Sequence, residues 1–275
     1  PDAEGGAIIH VKGSGWDLGD IEAPGLPAMW LEPLLKTRDV AHMSDEDMVA
    51  YLRRYLLDQT APNPSIEALL HAYMPHAFVD HTHATAILAL ADQQDMETAV
   101  AEIYGGRVGF VPYVMPGYQL SHACKDALAR DPSVEGLWLE QHGLFTFADT
   151  AQASYELMIE FVTLAEAYLA GRGVAVPGPE QTDRTMPQPL ADTLRAALAA
   201  GGALGAEPAL DFRASPSIRT YLARQNLAEL SRRGTATPDH VIRIKPFAMI
   251  LTEGAGRPEI DLALEAYADE YAGYF

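Results

Sequence analysis

The chain has 275 residues, 48% of them hydrophobic and 21% charged, enough for one large domain or two small ones to bury a core. Its formal net charge of −19 argues against nucleic-acid backbones and anionic membrane surfaces as partners, though not against a small phosphorylated ligand held by local donors. The single cysteine, Cys124, excludes an intramolecular disulfide framework and fits a reducing cytoplasm, and neither a secretory leader nor an apolar run of membrane-spanning length is found.

Residues 1–40 are rich in Gly and Pro, with one strand expected over Ala7–Val11. Ser44 reads as an N-cap ahead of Asp45, Glu46 and Asp47, where acids complement the helix dipole, and the helix is expected to reach about Leu57. Pro62 and Pro64 end it, and Ser65 is expected to cap a second helix reaching Tyr73. The apolar run Ala77-Phe78-Val79 predicts a strand that continues to His83. Helices are expected over Ala84–Ala91, Met96–Tyr104 and Ser121–Arg130, with a strand over Arg107–Val111 between the last two. Gly136–Leu139 and Leu144–Phe147 read as strands, and helical spacing runs from about Thr150 to Gly171.

Strands and helices alternating at this rhythm imply a sheet covered by helices. Residues 173–190 have the Pro and Gly content of a linker. Helices are expected over Leu190–Leu204, Ile218–Arg232 and Glu259–Phe275, and a strand over Val241–Ile244. Cys124 falls on a helix, as a core thiol would.

Side chains two apart on a strand leave the same face. His81 and His83 can therefore converge on one point, and His142, from a second strand end, can close a three-histidine metal site with an open position. Glu67 stands fourteen residues before His81; it suits either a first-turn acid favoured by the helix dipole or a catalytic carboxylate. Ser65 offers a hydroxyl and backbone donors near a helix start. Lys12-Gly13-Ser14-Gly15 follows a strand and suits an anion-holding turn or simply a turn. His71, His76 and His122 read as structural or solvent-facing.

The order Lys12-Gly13-Ser14-Gly15, Pro64-Ser65-Ile66-Glu67, His81-Thr82-His83, Pro112-Tyr113, Gln141-His142-Gly143 resembles the class II aldolase/adducin family. Val11–Leu18 and Thr237–Arg243 are similar to the aldolase portion of bifunctional aldolase/short-chain dehydrogenase proteins. The resemblance implies a three-layer α/β/α sandwich around a mainly antiparallel or mixed sheet in residues 1–172. Residues 173–275 would be linker and C-terminal helical extension packing on that core. It also implies Zn²⁺ held by His81, His83 and His142, with Glu67 as acid/base. Lys12, Ser14, Gly15 and Ser65 would hold a substrate phosphate. Tyr113 would act from a neighbouring subunit of a homotetramer, or else is a loop aromatic; His240 is a lesser candidate for substrate contact.

The activity so implied is cleavage of a ketose 1-phosphate to dihydroxyacetone phosphate and an aldehyde, in the cytoplasm, with a dehydrogenase either fused or separate. A sugar-phosphate epimerase or dehydratase of the same family, and an adducin-like binding module without metal, are the alternatives. One departure is the family's Gly-Asn-Thr/Ser turn, which is not found in residues 1–14. Either the chain begins after it or the phosphate site is incomplete. The start at Pro1 fits a fragment or a processed chain.

Overall fold

The computed structural model describes residues 5–178, 180–200, 207–241 and 244–273. It divides into two compact units, Pro1–Val174 and Ala175–Phe275.

The first unit begins with a ribbon of β1 (Ile8–His10) and β2 (Ala28–Trp30), antiparallel, followed by helix α1 (Leu31–Lys36). The second strand and α1 were not expected in so Pro- and Gly-rich a region; three-residue strands are too short to show an alternating pattern. Helix α2 (Asp45–Arg54) starts as expected, the Ser44 hydroxyl accepting the Asp47 N–H at 3.1 Å. Helix α3 (Ala68–Tyr73) starts two residues later than predicted. Ser65 does not cap it: its hydroxyl accepts the Glu67 N–H and its carbonyl the Ala68 N–H, closing a tight turn that leaves Glu67 at the cap position.

β3 (Phe78–Thr82), α4 (Thr85–Ala91), α5 (Met96–Tyr104), β4 (Val108–Val111), α6 (Tyr118–Arg130), β5 (Gly136–Leu139), β6 (Gly143–Ala148) and α7 (Ala151–Gly171) complete this unit. The sheet runs β3-β6-β5-β4; β6 is antiparallel to both neighbours and β4 is parallel to β5, so the sheet is mixed and open. His83 lies one residue beyond β3 rather than on it.

Alternation along β5 and β6 assigns the two faces. Leu137, Leu139, Phe145 and Phe147 pack with Leu70 of α3 and Leu120, Cys124 and Leu128 of α6. On the other face the Thr146 hydroxyl donates to the Ser154 carbonyl of α7, Gly136 lies under Phe161 of α7, and Trp138 meets Tyr104 of α5. The result is the three-layer α/β/α sandwich. Cys124 is fully buried, and burial pushes its thiol pKa up, as for a core residue.

The second unit holds α8 (Gln188–Ala200), α9 (Pro216–Leu222), α10 (Leu227–Leu230), α11 (Pro238–Val241) and α12 (Arg257–Ala272). The single helix expected over 218–232 is two, interrupted before Asn226, a residue whose side chain competes with helical backbone bonds. The strand expected over 241–244 is not formed at Val241, which closes α11. Thr237 accepts the His240 N–H and Pro238 opens the turn, so the helix start prevails over β-branched propensity. Ile242 and Arg243 lie outside the described residues, as do 201–204 of the helix predicted to reach Leu204.

Candidate metal centre

His81 enters from the end of strand β3, His83 from the segment after it, and His142 from the turn joining β5 to β6. One ligand atom from each lies within 4.8 Å of the others. Antiparallel pairing sets this up: His81 faces Phe145 and Thr82 faces Leu144 across the β3–β6 ladder, so the strand end carrying the histidine pair abuts the turn carrying the third.

That turn is tight and strained. Gln141 adopts φ 55°, left-handed for a residue with a β-carbon, at a cost of about 1–3 kcal/mol. Its N–H is anchored on the Ala91 carbonyl at 3.0 Å, and the His142 N–H closes back on Leu139. Gly143 follows because nothing larger fits. A β-carbon there would lie 2.6 Å from the Thr82 carbonyl oxygen, 2.9 Å from His83 Cδ2 and 3.0 Å from His81 Cε1. The packing of the histidine rings on a bare glycine explains the His-Gly pair that the sequence displays.

Protonation states follow from the contacts. His81 Nδ1 donates to the Leu144 carbonyl at 3.0 Å, leaving Nε2 with its lone pair directed at the other ligands. His81 Nε2 and His83 Nε2 stand 2.7 Å apart, a separation that requires a proton or a cation between them. Burial holds the His81 imidazole down to a pKa of about 3, against the opposing pull of Glu67 and with the help of His83 and His142. It is a neutral imidazole at ordinary pH, the form in which histidine binds a metal.

Glu67 completes the cluster. Its Oε1 is 2.9 Å from His142 Nε2 and 3.5 Å from His81 Nε2, with the side chain 14% exposed. Burial alone would raise its pKa. His81 and His142 outweigh that and hold the carboxyl well below the usual range. Yet Oε1 is buried without an aligned hydrogen bond, as is Nδ1 of His142. Three imidazoles and an ionised carboxylate with an unsatisfied inward oxygen form a donor set suited to a divalent cation. These residues fit a metal.

The residues singled out for phosphate binding are also brought together. The segment Lys12–Ser14 pairs with Asn63–Ser65: Ser14 N–H donates to Asn63, Ser65 N–H donates to Lys12, and Gly13 bridges Pro64. Ser65 stands two residues before Glu67, so this seam leads into the cluster. Gly15 takes φ 85°, a conformation glycine favours. The Lys12 ammonium donates to the carbonyls of Gly13 and Trp16, bracing the loop from within. Tyr113 is half-exposed and is not among the described contacts of His81 or His142; its backbone N–H donates to Glu140 Oε2 at 2.9 Å, two residues before His142. His240 belongs to the second unit, on α11. Sequence reasoning missed the Leu144 carbonyl and the strained Gln141, neither of which has a signature in residue type.

A family model described as Class II Aldolase and Adducin N-terminal domain matches residues 3–169, and one described as Aldolase class II, second domain, matches residues 186–275. The chain is 32% identical, over 286 aligned positions, to a protein of Bacillus subtilis (strain 168) named Uncharacterized oxidoreductase YuxG. That similarity takes in 98% of this chain and 41% of the other, so the chain spans about two-fifths of its curated relative's length. Among solved structures, the N-terminal class II aldolase domain of a conserved protein from Thermoplasma acidophilum is 34% identical, with a TM-score of 0.56, covering 59% of this chain and 75% of that one.

Proposed function

The chain belongs to the class II aldolase and adducin family, and on that premise we propose that it is a zinc-dependent lyase that splits a ketose 1-phosphate into dihydroxyacetone phosphate and an aldehyde. The observation that carries this reading is the convergence of His81, His83 and His142 within 4.8 Å beside the inward oxygen of Glu67. His81, His83 and His142 would hold the zinc, which would supply Lewis acidity toward a substrate carbonyl and so favour breaking the bond between the carbons α and β to it.

The chain's own groups do the rest. Glu67, ionised at neutral pH, takes or returns a proton through Oε1 at the carbon next to the carbonyl. The hydroxyls of Ser14 and Ser65, with the backbone at Gly15, hold the phosphate, while Lys12 shapes the loop that presents them. Tyr113, half-exposed, serves a site on a neighbouring subunit of a homotetramer. The chemistry belongs to residues 1–172, with 173–275 as an extension. The length and name of the curated relative support a dehydrogenase partner, fused or separate. Cytoplasmic location is part of the same reading, and no helix among the described residues is long and apolar enough to cross a membrane.

Elemental analysis of the purified protein beside His83→Ala, followed by a screen of ketose 1-phosphates, tests this. About one zinc per chain, lost in the variant, with dihydroxyacetone phosphate released, is the expected result. Glu67→Gln should keep the metal and slow turnover by about 10²–10⁴. An epimerised or dehydrated product would move the assignment to another enzyme of the family. A wild type that takes up no zinc at neutral pH would leave a binding module.

A further inference from the structure

A ring outside the triad sets the orientation of one inside it. Phe145 lies directly across the β3–β6 ladder from His81. The two rings stack with centroids 3.9 Å apart and planes 9° from parallel. His71, from α3, meets the same phenyl edge-on at 5.5 Å. Phe145 is fully buried and packs in the core with Leu70, Leu137 and Leu139. The core therefore anchors the phenyl, and its face is presented to a ligand-bearing imidazole.

A histidine side chain has two soft torsions, and a ligand nitrogen that swings loses affinity. The bond from His81 Nδ1 to the Leu144 carbonyl fixes the tautomer and one end of the ring. It leaves the ring free to rock about that bond, and a stacked phenyl removes this motion. The stack also discriminates between states. An imidazole bound to a cation gains positive charge, which the negative face of an aromatic ring attracts more strongly than it attracts the neutral ring.

We propose that Phe145 is a positioning residue for the metal centre, holding the plane of His81 so that Nε2 points into the triad and favouring its cation-bound form. The proposal rests on the triad being a metal site, and its test separates the two claims. Apo wild type and Phe145→Leu are titrated with Co²⁺ while the visible absorption is recorded. Both should bind to the same stoichiometry, but the variant should do so with Kd raised about tenfold or more and with an altered visible band. Phe161→Leu is the control: Phe161 is equally buried but packs on Tyr104 and against Gly136, away from the triad face. It should lower the urea midpoint and leave Kd unchanged.

If Phe145→Leu does not fold, Phe145→Met, which refills the volume without an aromatic face, takes its place. A further measurement needs no substitution: in the apo protein the stacked phenyl should shift the His81 ring protons upfield. Unchanged cobalt affinity in the Phe145 variant, equal weakening in the Phe161 control, or unshifted His81 protons would each overturn the proposal. Wild type that binds no cobalt would instead overturn the metal reading beneath it.

Discussion

Gly143 shows how one hydrogen atom sets the geometry of the triad. The nearest neighbour of a β-carbon there is the backbone oxygen of Thr82, at 2.6 Å, which cannot swing aside as a side-chain end can. Gly143→Ala must therefore push β3 and the turn apart, carrying His81 and His83 away from His142. The expected outcome is loss of metal affinity by at least about tenfold, with the sheet still formed. Isothermal titration of the apo variant with zinc reads it, and affinity equal to wild type would show that the turn has slack the structure does not display. The ligands themselves were legible in the sequence, since an H-x-H pair on a strand can present both rings to one point. A third imidazole from a second strand end, His142, could be offered from the residues, but the place of Glu67 beside the three followed only from family resemblance, because it depends on packing that no local spacing encodes. Lys12 is singled out as an anion ligand through family resemblance, and the bonds from its ammonium to two carbonyls of its own loop are not visible in residue type.

At the scale of elements, strong local signals held and weak ones failed. Ser44 accepts a backbone N–H three residues on at the start of α2, as its place ahead of the helical spacing predicts, and Thr150 does the same at the start of α7. Ser65 has the same chemistry but caps a turn, because Pro64 and the pairing of Ser65 with Lys12 hold the chain extended there. At Val241 the β-branched preference lost to the Thr-Pro-Asp-His start before it. Helix α7 spans 21 residues and packs on the face of the sheet opposite Phe145, so its cap should affect stability without reaching the metal. Thr150→Ala is expected to cost about 1 kcal/mol, seen as a lower urea midpoint, with zinc affinity as in wild type. A variant as stable as the parent would mean that water replaces the cap at no cost.

For the molecule as a whole, acid is the natural probe of what burial has done to its histidines. His71, His81 and His122 are all held below the ordinary imidazole value, and burial is the largest cause in each. A base whose folded pKa is depressed binds fewer protons in the folded state than in the unfolded one. Stability is then complete above the unfolded value of 6.5 and drains away as pH falls below it. Glu67, also depressed, contributes in the same direction but lower, where pH falls past its unfolded value of 4.5. Asp92, raised by burial, opposes it. All five groups lie in the unit Pro1–Val174, and so do the three tryptophans, Trp16, Trp30 and Trp138. Tryptophan fluorescence thus follows the unfolding of the unit that titrates. For the metal-free protein the urea midpoint should fall between about pH 7.5 and about pH 5.5. His122 meets the rings of Tyr73 and Tyr118, and His122→Phe, which keeps an aromatic ring there but takes no proton, should flatten part of that slope. A midpoint that is level or rises on acidification would mean that these imidazoles are protonated as readily in the folded chain as in the unfolded one, and that the closeness of the rings in the triad reflects shared protons rather than a site kept neutral for a cation.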